Sequence, residues 1–282
     1  MRMKIYNRLK TFQKRSNATV TMGVFDGVHL GHQQLIQQLH AHARAVGGEV
    51  VMVTFWPHPK QVLASPHTTP IQLLTTLDEK VAMLSQLGIG HLLAIRFTKS
   101  FSQLSSEAFV REILVAQVGM SQLIVGHDHR FGRKRAGDIA LLQAMGLQHN
   151  FTVKEVAPTS IDGVVIGSTK IRQLLLEGNV EKAHAYLGRP YEINCAILQQ
   201  NPNGKQGFNL HLVPISADKL IPADGLYGVQ IRLQDGAVEE GMLRIVRKST
   251  ALNMVLSIRK YANTTEEHTD LYIRFRSRHK KP

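Results

Sequence analysis

The chain has 282 residues, 43% hydrophobic and 20% charged, which is the make-up of a globular protein with room for one large domain or two ordinary ones. Its single cysteine, Cys195, excludes an internal disulfide, and no run approaches the ~18 apolar residues of a membrane span. The net charge of +13 points to anionic partners, for which a few phosphate sites suffice; nucleic acid is not the expected partner, and nothing in the pattern sets an oligomeric state.

The N-terminal residues 1–15 are basic and lack the apolar core of a secretory signal, so the expected compartment is the cytoplasm. Residues 19–22 read as a strand and 35–46 as a helix stopped by Gly47 and Gly48. A strand over 50–55 is broken by Pro57 and Pro59. A helix over 78–87, a strand over 92–97, a helix over 107–118 and a strand over 123–125 follow. A helix over 138–145, a strand over 151–156 and a helix over 168–176 complete this part. Strands alternating with helices predict an α/β fold whose parallel sheet is covered on both faces, with ligands bound beyond the carboxyl ends of the strands.

After Leu187 the pattern changes to short β-rich stretches at 191–198, 208–213, 225–233, 241–246, 254–258 and 271–275, separated by turn residues. They predict a small antiparallel β-barrel or sandwich. The domain boundary is placed near Gly188, giving domains 1–187 and 188–282. The basic tail over 274–281 is expected to be a solvated, frayed end.

The strongest chemical signal is residues 23–32, Gly-Val-Phe-Asp-Gly-Val-His-Leu-Gly-His, between a strand and a helix. Gly23, Gly27 and Gly31 let the backbone turn tightly and approach a ligand, and the helix beyond presents its free N–H groups to anions. His29 and His32, three apart, can lie on one side of the first helical turn and donate to phosphate oxygens as charge builds on a leaving pyrophosphate. Zinc is not expected, because no further ligands follow at suitable spacing. A second signal is Gly-Ser-Thr-Lys-Ile-Arg at 167–172, where Ser168 or Thr169 can cap a helix and Lys170 and Arg172 add charge for a phosphate. Alone, that stretch reads equally well as a capped surface helix. The loop at 126–135 carries His127, Asp128, His129, Arg130 and Phe131 and suits a heterocycle with a phosphate, or simply a basic surface loop. His58, in the rigid run Phe55-Trp-Pro57-His58-Pro59, is either a catalytic candidate or part of a structural turn.

With these segments in order, the chain resembles the bacterial bifunctional riboflavin kinase/FMN adenylyltransferase (FAD synthetase) family. The resemblance implies a Rossmann-like nucleotidyltransferase domain followed by a riboflavin-kinase-like β-barrel. It implies transfer of the adenylyl group of ATP, with Mg²⁺, to FMN, giving FAD and pyrophosphate. By the same resemblance, Gly23, Val24, Phe25, Asp26, Gly31, His32, Ser168, Thr169, Lys170 and Arg172 would bind ATP, with His29, His32 and Arg172 catalytic. Phe55, Pro57, His58, Pro59, Asp128, His129, Arg130 and Phe131 would bind FMN, and the Mg²⁺ ligands stay unassigned.

The departures lie beside those pockets. Trp56 stands where the family usually has an acid, His127-Asp-His129 where Glu-Asp-Phe is common, and Gly167 where serine is frequent. In the barrel, Gly207-Phe-Asn-Leu-His stands where a flavokinase carries Gly-Phe-Pro-Thr-Ala-Asn, and the stretch 254–258 holds no acid to serve as base, although Glu266 and Glu267 lie further on. The chain also stops at Pro282, before the point expected of the family's last helix. The expectation is a working adenylyltransferase joined to a barrel that has lost its kinase chemistry.

Overall fold

A computed structural model describes residues 3–202, 207–232, 237–248, 251–259 and 270–279. The turn residues Asn203, Gly204 and 234–236, the acids Glu266 and Glu267, and Lys280 and Lys281 lie outside the described residues. By internal packing the chain forms two units, residues 1–71 with 77–166, and residues 72–76 with 167–282.

The first unit is built on a parallel sheet. Its strands are β1 (Lys4–Tyr6), β2 (Ala18–Met22), β3 (Glu49–Trp56), β4 (His91–Arg96), β5 (Met120–Gly126) and β6 (Thr152–Val156). Their order across the sheet is β1-β4-β3-β2-β5-β6, with every neighbouring pair parallel. β2 and the centre of β3 are runs of Val, Thr and Met buried on both faces, as a sheet covered by helices demands. The helices are α1 (Leu30–Ala45), α2 (Pro59–Val62), α3 (Leu77–Gln86), α4 (Ser106–Ala108) and α5 (Ile139–His149). α4 runs directly into a π-helical stretch, Phe109–Val118, that ends on left-handed Gly119. One apolar core on each face, around Val20, Leu93 and Leu114 and around Ile36, Met52 and Leu92, holds the layers together.

The second unit contains α6 (Ser168–Leu176), α7 (Val180–Leu187) and six strands. These are β9 (Glu192–Pro202), β10 (Phe208–Pro214), β11 (Gly225–Arg232), β12 (Val238–Lys248), β13 (Ala251–Ile258) and β14 (Asp270–His279), after a small hairpin, β7 (Ser160–Ile161) with β8 (Val164–Val165), in the first unit. They close into an antiparallel barrel in the order β10-β13-β12-β11-β14-β9. Alternate residues point inward, and Ile193, Cys195, Leu210, Tyr227, Leu256 and Phe275 are among those that fill the interior. Burial pushes the Cys195 thiol up to about 12, so it stays protonated and inert.

Most elements fall where the sequence places them. The helix expected over 35–46 begins five residues earlier, at Leu30. The short edge strand β1 and the helix α7 were not foreseen. α7 buries Val180, Ala183 and Leu187 behind an Asn179 cap, and the sequence reading assigns both α6 and α7 to the first domain, whereas they pack in the unit with the barrel. The basic tail is a correction: residues 274–279 are not frayed but belong to β14, paired with β11 and β9. Arg274 donates to Glu192 and Arg276 to Gln230, so the charges are spent on neighbours along the strand. Phe275, fully buried between Tyr191 and Tyr227, anchors that strand. Phe275→Ala is therefore expected to cost about 3–5 kcal/mol, the scale for a deleted core phenylalanine. Urea unfolding of the whole chain checks this, and a cost under ~0.5 kcal/mol would return the tail to the surface.

Candidate active site

Strand order decides where the site lies. From β2 the chain builds outward through β3 and β4, then crosses to lay β5 on the other side of β2. The loops leaving the carboxyl ends of β2 and β5 therefore diverge at the reversal point, the place where open α/β sheets bind ligands. The loop after β2 is residues 23–29, and the loop after β5 is residues 127–138.

The first loop is tightly shaped. Phe25, Gly27 and Val28 all have positive φ, at 51°, 85° and 40°. For Phe25 and the β-branched Val28 this is a strained conformation, held by burying both side chains in the core beneath α1. The Val24 carbonyl accepts from Lys80 Nζ at 2.7 Å and from Thr54 Oγ1 at 3.3 Å. The loop delivers His29 to the N-cap of α1, a helix of 16 residues whose positive end opens onto it. His29 and His32 stack with ring centroids 3.6 Å apart and planes 21° apart, and Phe25 meets His32 edge-on at 5.2 Å. A Cβ on Gly31 would lie 3.3 Å from the His29 ring, so glycine between the histidines leaves room for the stack. The two imidazoles predicted to share one side of the helix start are side by side.

Lys80 and Asp26 complete this site. Both are buried. Burial pushes the Lys80 amine down to about 8, against the opposing pull of the Asp26 carboxylate. The Lys80 ammonium also lies over the Trp56 ring, 5.5 Å from its centre. Trp56, the residue that departs from the family pattern, thus supplies a π-face where an acid would supply charge. Sequence reasoning missed Lys80. The available signal was a lysine at an inward-facing position of α3, between Leu77 and Leu84.

The residues predicted to face the flavin divide. Phe55 is half-buried against Phe97, Phe101 and Phe109 at about 6 Å. His58 is buried, and its Nδ1 accepts from the Lys60 N–H at 3.0 Å, capping α2 beside Pro57 and Pro59. This capping bond is what the structural-turn reading expects. Phe131 is a core residue packed on Phe109, not a wall of the expected flavin pocket. Above it lies a pocket of about 310 Å³ lined by residues 127–130 and 138–140. Half-buried His129 stacks on Phe131 at 5.8 Å. Its imidazole is pushed down to about 4, chiefly by burial, so it is neutral at pH 7. Arg130 pairs with Asp138 at 2.9 Å, and Asp138 also caps α5 through the Leu141 N–H. That N–H first, then Arg130, holds the Asp138 carboxyl below its ordinary value. Asp138 was not foreseen as a lining residue.

The remaining predicted residues belong to the second unit. Gly167 is the N-cap of α6, so the expected cap from Ser168 or Thr169 is corrected: these are the first two residues inside the helix. Lys170 donates to Gln173 within the helix, and Arg172 Nε donates to the Gln72 carbonyl at 2.9 Å. Among the described residues no cluster of three or more His, Cys, Asp or Glu forms a metal cage.

Residues 11–170 match the FAD synthetase family. The chain belongs to that family. A bifunctional riboflavin kinase/FMN adenylyltransferase of Buchnera aphidicola subsp. Schizaphis graminum is 36% identical over 232 residues, covering 81% of this chain and 73% of the relative. The protein of the same description from Listeria monocytogenes is 33% identical over 258 residues, covering 91% of this chain and 80% of the relative. The one from Escherichia coli K12 is 33% identical over 218 residues, covering 77% and 69%. The fold is that of a crystal structure titled a macrolide-efflux protein, from Streptococcus pneumoniae, with a TM-score of 0.85 and 24% identity over 100% of this chain and 93% of that one. At that identity the likeness concerns the fold alone. The buried lysine beneath residues 23–32 is open to a direct physical test.

Lys80 is protonated in both folded and unfolded states below pH 8, so its burial penalty is present in full there. Between pH 8 and its ordinary value near 10.5 the unfolded chain holds more protons, and stability rises with pH. Relative to Lys80→Met, the natural protein is expected to gain up to ~3 kcal/mol across that window. Urea midpoints of the two proteins from pH 7 to 10.5 measure the gain; parallel curves would mean the amine is not desolvated.

Proposed function

We propose that this protein is an FMN adenylyltransferase, carried by residues 1–187, and that its barrel, residues 188–282, does not phosphorylate riboflavin. The observation that carries the reading is the stacked pair His29 and His32 at the N-terminus of α1, in the loop where strand order reverses, in a chain of the FAD synthetase family. Anion-binding N–H groups and two imidazoles in one turn suit a triphosphate.

In the proposed reaction a phosphate oxygen of FMN attacks the α-phosphorus of MgATP in line. The bond to the bridging oxygen of the β-phosphate breaks, and pyrophosphate leaves with the electron pair. His29 and His32 donate to the phosphate oxygens on which charge grows, together with the first N–H groups of α1. The family resemblance assigns the leaving phosphates to Ser168, Thr169, Lys170 and Arg172. Asp128, His129 and Arg130, around the pocket after β5, take the flavin. Lys80 and Asp26 keep the loop in shape from below. The single, buried Cys195 and the use of ATP suit the cytoplasm, and among the described residues no helix is long and apolar enough to cross a membrane.

The kinase reading is weakened by two strands. β10 reads Phe-Asn-Leu-His-Leu-Val-Pro, with Asn209 accepting from Ser257 Oγ across the barrel wall. β13 carries no acid. Phosphorylating the ribityl hydroxyl needs a base and a metal site.

The test is conversion of flavins by the purified whole chain with ATP and Mg²⁺. FMN is expected to yield FAD and pyrophosphate, and riboflavin to yield no product. Changing both His29 and His32 to Ala is expected to lower the FMN reaction by about 10²-fold or more. FAD formed at an unchanged rate by the double variant would remove the histidines from the mechanism, and FMN formed from riboflavin would restore the kinase.

A further inference from the structure

α6 has only nine residues, too few to hold a shape or direction in water by itself. Its orientation must come from what it packs against. At its carboxyl end the Leu175 carbonyl accepts from the Ala223 N–H at 3.0 Å, and the Glu177 carbonyl accepts from Arg278 Nη1 at 2.7 Å. The same guanidinium donates through Nη2 to the Asp224 carbonyl at 2.7 Å, and the Arg278 backbone N–H donates to Glu181 Oε1, on α7, at 2.8 Å. One arginine of the last barrel strand thus joins the end of α6, the start of α7 and the loop before β11. Two glycines make room for it: a Cβ on Gly178 would lie 2.3 Å from the guanidinium, and one on Gly225 would lie 3.0 Å from it.

The loop that Arg278 grips is itself fixed. Arg247 of β12 pairs with Asp224 at 2.6 Å and donates to the Ile221 and Pro222 carbonyls. The same loop holds residues 72–76. Leu73 donates to the Asp218 carbonyl and accepts from the Leu220 N–H, while buried Lys219 donates to the Leu74 carbonyl at 2.9 Å from above the Tyr191 ring. Arg172 of α6 then donates to Gln72 in that strap. The helix is therefore tied to the barrel at its end, through Arg278 and Ala223, and at its middle, through Gln72 and the loop at 218–220.

We propose that the barrel serves adenylyl transfer as the positioning scaffold of α6, with Arg278 the principal positioning residue. This rests on the reading of α6 as a holder of ATP phosphates. It gives the closed barrel a role apart from kinase chemistry: a phosphate-holding helix displaced by about 1 Å loses much of its effect on rate.

The experiment is steady-state kinetics on the full-length chain with FMN, ATP and Mg²⁺, beside amide hydrogen exchange. Arg278→Met is expected to raise KM for ATP about tenfold, leave KM for FMN within about twofold, and speed exchange in α6 while β12 and β13 keep their protection. Arg278→Lys should fall between, because an ammonium reaches one of the two carbonyls and not both; it is judged by the same criteria if the Met variant does not fold. ATP kinetics within about twofold of the natural protein, with exchange in α6 unchanged, would overturn the proposal. Changing Thr169 and Lys170 together to Ala, which leaves the Arg172 bond to Gln72 in place, separates the two ideas. If it leaves KM for ATP unchanged, the phosphate reading of α6 fails; if it raises KM for ATP while Arg278→Met is silent, only the scaffold role fails.

Discussion

The fold of the first unit depends on one constraint: a parallel sheet must be covered on both faces, and its central strand must be buried throughout. β2 meets it, with every residue buried between neighbours on both sides. Because the strand order reverses at this strand, its following loop emerges where no helix can cover it. The most buried strand therefore delivers the most chemically loaded segment to the open edge. The polar groups of residues 23–32 sit on the rigid end of the core and not on a surface loop.

That placement carries local costs. Phe25 and Val28 adopt a conformation that L-residues avoid, at roughly 1–3 kcal/mol each, and Lys80 gives up most of its hydration. The offsetting terms are visible: both strained side chains are packed in the core, and the lysine is spent on the Val24 carbonyl, the Asp26 field and the Trp56 ring. The loop is shaped by contacts made beneath it, with His29 itself buried at the N-terminus of α1. Such pre-shaping is what a charge-stabilising site requires, since donors that must reorganise contribute less.

In the second unit closure is the equivalent constraint. A barrel has no free edge, and its interior here is apolar from Ile193 to Phe275. The basic residues of β14 face outward in alternation and meet carboxylate, amide and carbonyl oxygens. Arg274, Arg276 and Arg278 are thereby tied into the barrel wall and its neighbouring helices.

The sequence alone determined what is local. Alternating and continuous β-branched runs located all six barrel strands and five of the six sheet strands, and a Gly-rich segment between strand and helix marked His29 and His32. The bounds of α6 were legible from its apolar spacing and the glycine that follows. What only the tertiary structure decided involves partners far apart in sequence. β1 exists because it pairs with β4, some 85 residues on, and β14 continues past Phe275 because β11 offers it a partner. Phe131 looked like a wall of the flavin pocket and is core, since it packs on Phe109, on a helix far earlier in the chain. Lys80 reads as a surface lysine until the loop at Val24 folds over it, and Arg172 reads as a phosphate ligand whose bond to Gln72, 100 residues away, no spacing rule reveals. Periodicity reports which face of an element is apolar; it carries no information on which distant backbone carbonyl a buried cation will find, because that is settled by chain closure and desolvation together.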